Sequence, residues 1–203
     1  MIAIIDYGMG NLKSVSKAFE HLGFQTVVTR DPARLKEAER IVLPGVGAFP
    51  DCMNNLKRFN LDGPIQEAIG SGKPFLGICL GLQLLFTESE EFGIHPGLGV
   101  IEGRVVRFGA DPAHKVPHMG WNQLRIKSET PVLSGIGDDT SMYFVHSYYV
   151  VPKDSRITCT ETEYGVAFTS GILRDNIFAC QFHPEKSQAA GLRLLENFGR
   201  WSP

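Results

Sequence analysis

Cys79 stands between two glycines in Gly-Ile-Cys-Leu-Gly, residues 77–81, inside the apolar run PFLGICLGLQLLF. Glycine weakens strand and helix interiors alike, so a pair of them around one thiol points to a sharp, crowded turn. A strand that runs straight into a helix through G-x-nucleophile-x-G is a nucleophile elbow, familiar with serine. Small flanking residues admit the strained turn, and the N-terminus of the following helix would favour a thiolate over a thiol. Taken alone, the pentapeptide leaves core packing slightly ahead, because free cysteine packs as a small hydrophobe.

A nucleophile needs a base within hydrogen-bond reach and a third group that orients it. QFHPEKS, residues 181–187, places His183 and Glu185 at i and i+2, which on an extended backbone puts both side chains on one side. Base and orienting carboxylate could then come from one tripeptide stiffened by Pro184. A surface histidine beside a helix-capping glutamate has equal standing. PGVGAF, residues 44–49, has two glycines that could turn backbone N–H groups toward a ligand, as an oxyanion hole requires. It could equally be a simple strand-to-helix turn. His118 and His146 are rival bases, but each sits among aromatic, strand-like residues with no acid at short spacing. His183 is the better choice. Gly8–Gly10 forms a G-x-G, yet GMGNLK lacks the third glycine of a dinucleotide fingerprint.

These residues need a scaffold. IAIIDY (2–7), QTVVTR (25–30), RIVLP (40–44) and PFLGIC (74–79) read as strands. NLKSVSKAFEHLG (11–23), DPARLKEAE (31–39) and two stretches within 48–70 read as helices, and LGLQLLFTES (80–89) as a helix following Cys79. That alternation predicts an α/β fold whose parallel sheet is covered by helices, with ligands at the carboxyl ends of the strands. The second half is strand-like instead: VIEGRVVRF, HMGWNQLRI, SMYFVHSYYVV, RITCTETEYG and NIFACQFHPE predict antiparallel hairpins added to the parallel core. An amphipathic helix, 186–201, closes the chain. No repeat or linker interrupts it, so 1–203 reads as a single domain.

The 203 residues are 43% hydrophobic and 21% charged, with a net charge of −2 and no run of like charges, which argues against nucleic acid or an anionic membrane as partner. MIAIIDYGMGN lacks the basic start and long apolar stretch of a signal peptide, and no segment approaches a membrane span. The four cysteines show no close pairs and no zinc spacing, so reduced thiols in a cytoplasmic protein without a metal are expected.

Together, PGVG, GICLG and FHPEKS, in that order, resemble the class I glutamine amidotransferase family. IDYGMGNLKSV, GICLGLQLLF, VPHMGWNQL and FVHSYYV resemble one branch of it, the glutaminase subunits of imidazole glycerol phosphate synthase in histidine biosynthesis. The likeness runs from about residue 2 to 201 and has no departure at the three chemical residues. It implies a flavodoxin-like, doubly wound, mostly parallel sheet and no cofactor. It also implies a triad in which Cys79 attacks the amide of glutamine, His183 is the base and acid, and Glu185 orients His183. The oxyanion would be met by N–H groups of Leu80 and of the Val46–Gly47 stretch. Gln83 would help hold the glutamine backbone, with Glu91, Ser147 and Tyr148 as further candidates for its amino and carboxylate ends. The two glycines of the elbow then read as clearance, for the turn and for the approach of the amide.

The resemblance also implies a partner, because free ammonia would become ammonium in water unless delivered directly. A (β/α)8 barrel needs about 250 residues, so the cyclase that uses the ammonia must be another chain, giving a heterodimer. His118, Trp121, Tyr143 and Lys186 are candidates for the face beside it. A glycine-rich loop such as PGVG can hold two peptide orientations, only one presenting the donor, so the partner would activate the subunit. The nearest rival is a glutaminase serving pyridoxal phosphate, anthranilate, guanylate or folate-precursor synthesis. A cysteine hydrolase on a similar sheet, or a non-catalytic subunit, is more distant.

Overall fold

The computed structural model describes residues 1–110 and 112–203. The first half alternates β1 (Ile2–Ile5), α1 (Leu12–His21), β2 (Thr26–Thr29), α2 (Pro32–Glu37), β3 (Arg40–Gly45), α3 (Phe49–Arg58), α4 (Asp62–Gly70) and β4 (Phe75–Cys79). Local chemistry sets these boundaries. At α2, for example, the Asp31 side chain accepts from the Ala33 N–H at 2.9 Å and Pro32 opens the helix. β1, β3 and β4 are buried on both faces, so their side chains form near-continuous apolar runs. Alternate residues of β1 feed two cores: Ala3 and Ile5 pack with α2, α3 and α4, while Ile2 and Ile4 pack with α1 and the C-terminal helix. Helices therefore cover both faces of the sheet.

After Cys79 come α5 (Leu80–Gln83), β5 (Phe86–Ser89), β6 (His95–Pro96), β7 (Ile101–Arg107), β8 (His118–Gln123), β9 (Arg125–Ile126), β10 (Ser141–His146), β11 (Tyr148–Pro152), β12 (Thr158–Glu163), β13 (Ala167–Arg174), β14 (Ile177–Cys180) and α6 (Gln188–Arg200). The order across the main sheet is β2-β1-β3-β4-β14-β13-β11-β7-β5-β6, with β12 and β9 branching from β13. β2, β1, β3, β4 and β14 are mutually parallel, the flavodoxin-like arrangement, and the pairings beyond β14 are antiparallel except β5 with β7. β8 and β10 form a separate antiparallel pair with Tyr143 opposite Trp121 and His146 opposite His118.

Two elements differ from the sequence reading. The expected helix over 80–89 is a single turn, and Phe86–Ser89 is instead a strand paired with β7. A short apolar run fits a buried helix or a buried strand equally, and here the empty edge of β7 decided. β13 is absent from the expected strands: its burial alternates only over its first four residues and is then continuous across Gly171, where a Cβ would lie 2.6 Å from the Thr160 hydroxyl. Among the described residues no helix is long and apolar enough to cross a membrane, and no group of acidic, histidine and cysteine residues could hold a metal.

Candidate active site

β3, β4 and β14 are adjacent and parallel, so their carboxyl ends rise side by side. The register sets Gly45 opposite Cys79, and Ile78 opposite Cys180. Val46 and Gly47 therefore leave β3 beside Cys79, and the chain after Cys180 delivers Gln181, His183 and Glu185 to the same place. Cys79 has φ +54° and ψ −108°, a conformation that costs a non-glycine residue on the order of 1–3 kcal/mol. Its flanking glycines are explained by strand packing. A Cβ on Gly81 would lie 1.8 Å from the Leu43 carbonyl, and one on Gly77 would lie 2.9 Å from the Ala179 Cβ. The clearance they supply faces β3 and β14, which corrects the expectation that it serves the approaching amide.

Cys79, Val46, Gly47, Leu80, Gln83, Glu91, Ser147, Tyr148 and His183 line one cavity of about 250 Å³. Glu185 lies behind His183, its Oε1 at 2.9 Å from Nδ1, with both side chains buried. Nε2 of His183 is buried without an aligned hydrogen bond, and the Cys79 sulfur is its neighbour. Contacts between catalytic pairs are often loose until substrate closes on them. Burial by itself would lower the pKa of His183; the charge and hydrogen bonding of the Cys79 sulfur, followed by the Glu185 carboxylate, outweigh it and raise the value to about 10. α5 is a single turn and carries little macrodipole.

The stretch from the end of β3 to the start of α3 is held at three points. The Tyr7 hydroxyl donates to the Pro44 carbonyl at 2.9 Å, and the Cys52 thiol donates to the Val46 carbonyl at 3.6 Å. Burial pushes the Cys52 pKa up to about 11, so its S–H remains a donor. The Phe49 N–H donates to Glu91 Oε2 at 2.7 Å, and burial raises the Glu91 pKa against that bond. Gln83 has its amide donors on the Tyr148 carbonyl and on Gln181 Oε1, both at 3.0 Å, which leaves its own carbonyl oxygen for a ligand ammonium. Sequence reasoning passed over Gln181, which donates to the Cys79 sulfur at 3.6 Å, and the cavity residues Pro117 and Val145. A signal for Gln181 exists: it precedes His183 by two residues, on the same side of an extended chain.

Residues 3–200 match the family described as glutamine amidotransferase class-I. The chain belongs to that family. This amidotransferase is 57% identical over 204 residues to the imidazole glycerol phosphate synthase subunit HisH of Syntrophotalea carbinolica, with 98% of this chain and 99% of the relative covered. It is 56% identical to the protein of the same name from Geobacter sulfurreducens, covering 98% and 97%, and 55% identical to that from Aquifex aeolicus, covering 97% and 95%. Among solved structures it is similar to PurLQS from Thermotoga maritima, with a TM-score of 0.76 at 20% identity over 97% and 96% of the two chains. A glutamine amidotransferase crystal structure gives a TM-score of 0.72 at 19% identity over 98% and 100%. At such identities these structures speak for the shared fold alone.

The four residues considered for a partner face separate in this amidotransferase. Trp121 is 49% exposed, meets Tyr143 edge-on with ring centroids 6.1 Å apart, and Lys186 lies over the Tyr143 ring at 5.7 Å. That cluster is tied to the cavity, since the backbone N–H of His183 donates to the Tyr143 carbonyl at 2.9 Å. His118 is elsewhere, 3% exposed on the opposite face of β8. It stacks on Tyr164 and Phe144.

His118 and His146 make acid stability measurable. Burial lowers the pKa of His118 to about 4, with His114 adding to the effect, and that of His146 to about 3. For His146 the hydrogen bond to the Tyr148 carbonyl opposes the shift, while His118 and His183 add to it. The unfolded chain takes up these protons near 6.5, whereas the folded one waits until about 4 and 3. Between those limits the unfolded state binds more protons, so stability is expected to fall as pH drops, by up to about 1.4 kcal/mol per pH unit per histidine. Urea unfolding of wild type and His146→Phe across that window checks this: the variant must show the shallower slope.

Proposed function

We propose that this chain is the glutaminase subunit of an imidazole glycerol phosphate synthase, acting in histidine biosynthesis through Cys79, His183 and Glu185. The observation that carries the chemistry is the strained Cys79 with the buried His183–Glu185 pair beside it, at the wall of one cavity. The full-length likeness to synthase subunits supports the pathway.

His183 takes the thiol proton of Cys79 as the sulfur attacks the side-chain amide carbon of glutamine. The resulting oxyanion is held by the Leu80 N–H and an N–H of the Val46–Gly47 stretch. On collapse, the C–N bond breaks and the His183 proton passes to nitrogen, releasing ammonia and leaving a glutamyl thioester on Cys79. Water then gives a proton to His183 and its hydroxide to the thioester, and as glutamate leaves His183 returns that proton to the sulfur. Glu185 fixes the His183 ring through Nδ1, and Gln83, Glu91, Ser147 and Tyr148 bind the amino-acid end of glutamine. Ammonia passes to a cyclase subunit with a (β/α)8 barrel, docked as a heterodimer on the face of Trp121, Tyr143 and Lys186. There it enters a phosphoribulosyl-formimino carboxamide nucleotide, giving imidazole glycerol phosphate and an aminoimidazole carboxamide ribonucleotide.

The tethers on Pro44, Val46 and Phe49 hold the oxyanion loop in one of its two orientations, and the nucleotide-loaded partner selects the donor-presenting one. One oxyanion donor is worth about 10²–10³ in turnover. Glutamate release is therefore expected to rise about 100-fold or more when the cyclase and its nucleotide are added to the isolated chain. Equal turnover with and without them would remove the activation proposal. Activity with a synthase of another pathway, and none with the cyclase, would replace the assigned partner.

A further inference from the structure

We infer that Asn122, His118 and His146 form a hydrogen-bond relay of fixed direction that positions the Tyr148 carbonyl and, through Gln83 and Gln181, the Cys79 sulfur. The inference builds on the glutaminase reading of Cys79 and adds three positioning residues to it. Of the three, His146 lines the cavity beside Cys79, whereas His118 and Asn122 do not.

The direction follows from what each group can donate. Asn122 Oδ1 accepts from the Gln123 N–H at 2.8 Å, which fixes which end of the amide is which. Its Nδ2 therefore points the other way, donating to the Glu163 carbonyl at 2.8 Å and to His118 Nε2 at 3.2 Å. An amide NH₂ can only donate, so His118 Nε2 carries the lone pair and Nδ1 the proton. That proton meets His146 Nε2 at 2.9 Å, which must accept, so His146 too is protonated on Nδ1. His146 Nδ1–H then donates to the Tyr148 carbonyl at 2.8 Å. The same carbonyl takes the second bond from Gln83, whose other amide hydrogen goes to Gln181, whose own amide ends on the Cys79 sulfur. Each hydrogen is donated once and the Tyr148 carbonyl accepts from both sides through its two lone pairs, with Asn122 setting the tautomer of both histidines.

The surroundings keep the relay neutral. His118 and His146 are 3% and 6% exposed among Phe108, Phe144, Tyr164 and Phe168. Burial lowers the pKa of both, so neither gains the second proton that would erase the tautomer at working pH. Asn122 and His118 lie on the inner face of β8, and Met119 and Trp121, 62% and 49% exposed, lie on its outer face. A shift of β8 imposed on that outer face would move the first members of the relay.

The test combines a spectroscopic and a kinetic readout on the intact chain with its cyclase. In ¹⁵N NMR of the imidazoles, His118 and His146 are expected as neutral Nδ1–H tautomers at about pH 7. In Asn122→Ala, His118 is expected to lose that single tautomer. His146→Phe keeps the aromatic volume but removes the donor, and kcat/KM for glutamine is expected to fall about tenfold or more. His146→Asn returns an N–H near the position of Nδ1 and is expected to recover most of the loss. An Nε2–H tautomer at either histidine overturns the relay, and so does unchanged kcat/KM in both His146→Phe and Asn122→Ala. If His146→Phe does not fold, the Asn122→Ala kinetics decide. Labelling of Cys79 by a glutamine-derived electrophile separates the two levels. Labelled wild type with kinetically silent variants sinks the relay alone, whereas an unlabelled Cys79 sinks the glutaminase reading beneath it.

Discussion

Replacing Cys79 by alanine is expected to abolish glutamine-dependent synthesis while synthesis from added ammonium salts survives. Loss of a nucleophile that works as part of a unit costs turnover on the order of 10⁴-fold or more, since no neighbouring group can form the thioester. The fold should tolerate the change. Alanine removes one sulfur atom, keeps the Cβ, and inherits the backbone strain at φ +54° unchanged. The sulfur's hydrogen bonds with Gln181 and the Val145 carbonyl are long, 3.6 Å and 3.9 Å, so little is lost with them. Glutamate release by the variant should be at background, and product formation from ammonium with the cyclase should match wild type. Disappearance of both activities would mean that Cys79 is structural.

Gly81→Ala is expected to be the most damaging single methyl in the elbow. The new Cβ would sit 1.8 Å from the Leu43 carbonyl oxygen and 2.9 Å from its carbon, both backbone atoms that cannot swing aside. Either α5 must lift from β3 or β3 must move, and β3 leads directly into the PGVG loop. Overpacking typically costs about 1–3 kcal/mol, and a clash with backbone belongs at or beyond the upper end. For a chain of this size that corresponds to a fall in Tm of roughly 6–12 °C. Gly63→Ala is the control, because a Cβ there meets nothing within 4 Å and alanine suits a helix better. Thermal unfolding of the two variants compares them directly. Equal Tm values would show that the Gly81 contact is not the constraint the geometry makes it.

Much of this architecture was legible in the residue order because its signals are local. Apolar runs of strand length, helical periodicity and capping residues such as Asp31 depend only on neighbours in the chain, and they located β1 through β4 with α1 through α4. The His183–Glu185 spacing was informative for the same reason. Failures came where two local states had the same pattern. Leu84–Phe86 continues an apolar run that suits a buried helix or a buried strand, and the open edge of β7 made Phe86–Ser89 a strand. His118 was a candidate for the partner face with Trp121, but alternation along β8 turns Trp121 outward and His118 into the aromatic cluster.

The sequence by itself determined which groups were present: a thiol in an elbow, an imidazole and carboxylate on one side of an extended tripeptide, and a glycine-rich loop after a strand. Only the tertiary structure decided that they meet. β14 lies between β4 and β13 and runs parallel to β4, although 97 residues separate Cys180 from Gln83 and nothing local states that pairing. Sheet order is chosen by which edges can bury their apolar faces together, a property of the whole chain. That choice sets Gln181 and His183 at Cys79, and it reassigns the two glycines of the elbow from substrate access to the close packing of α5 and β4 on their neighbouring strands.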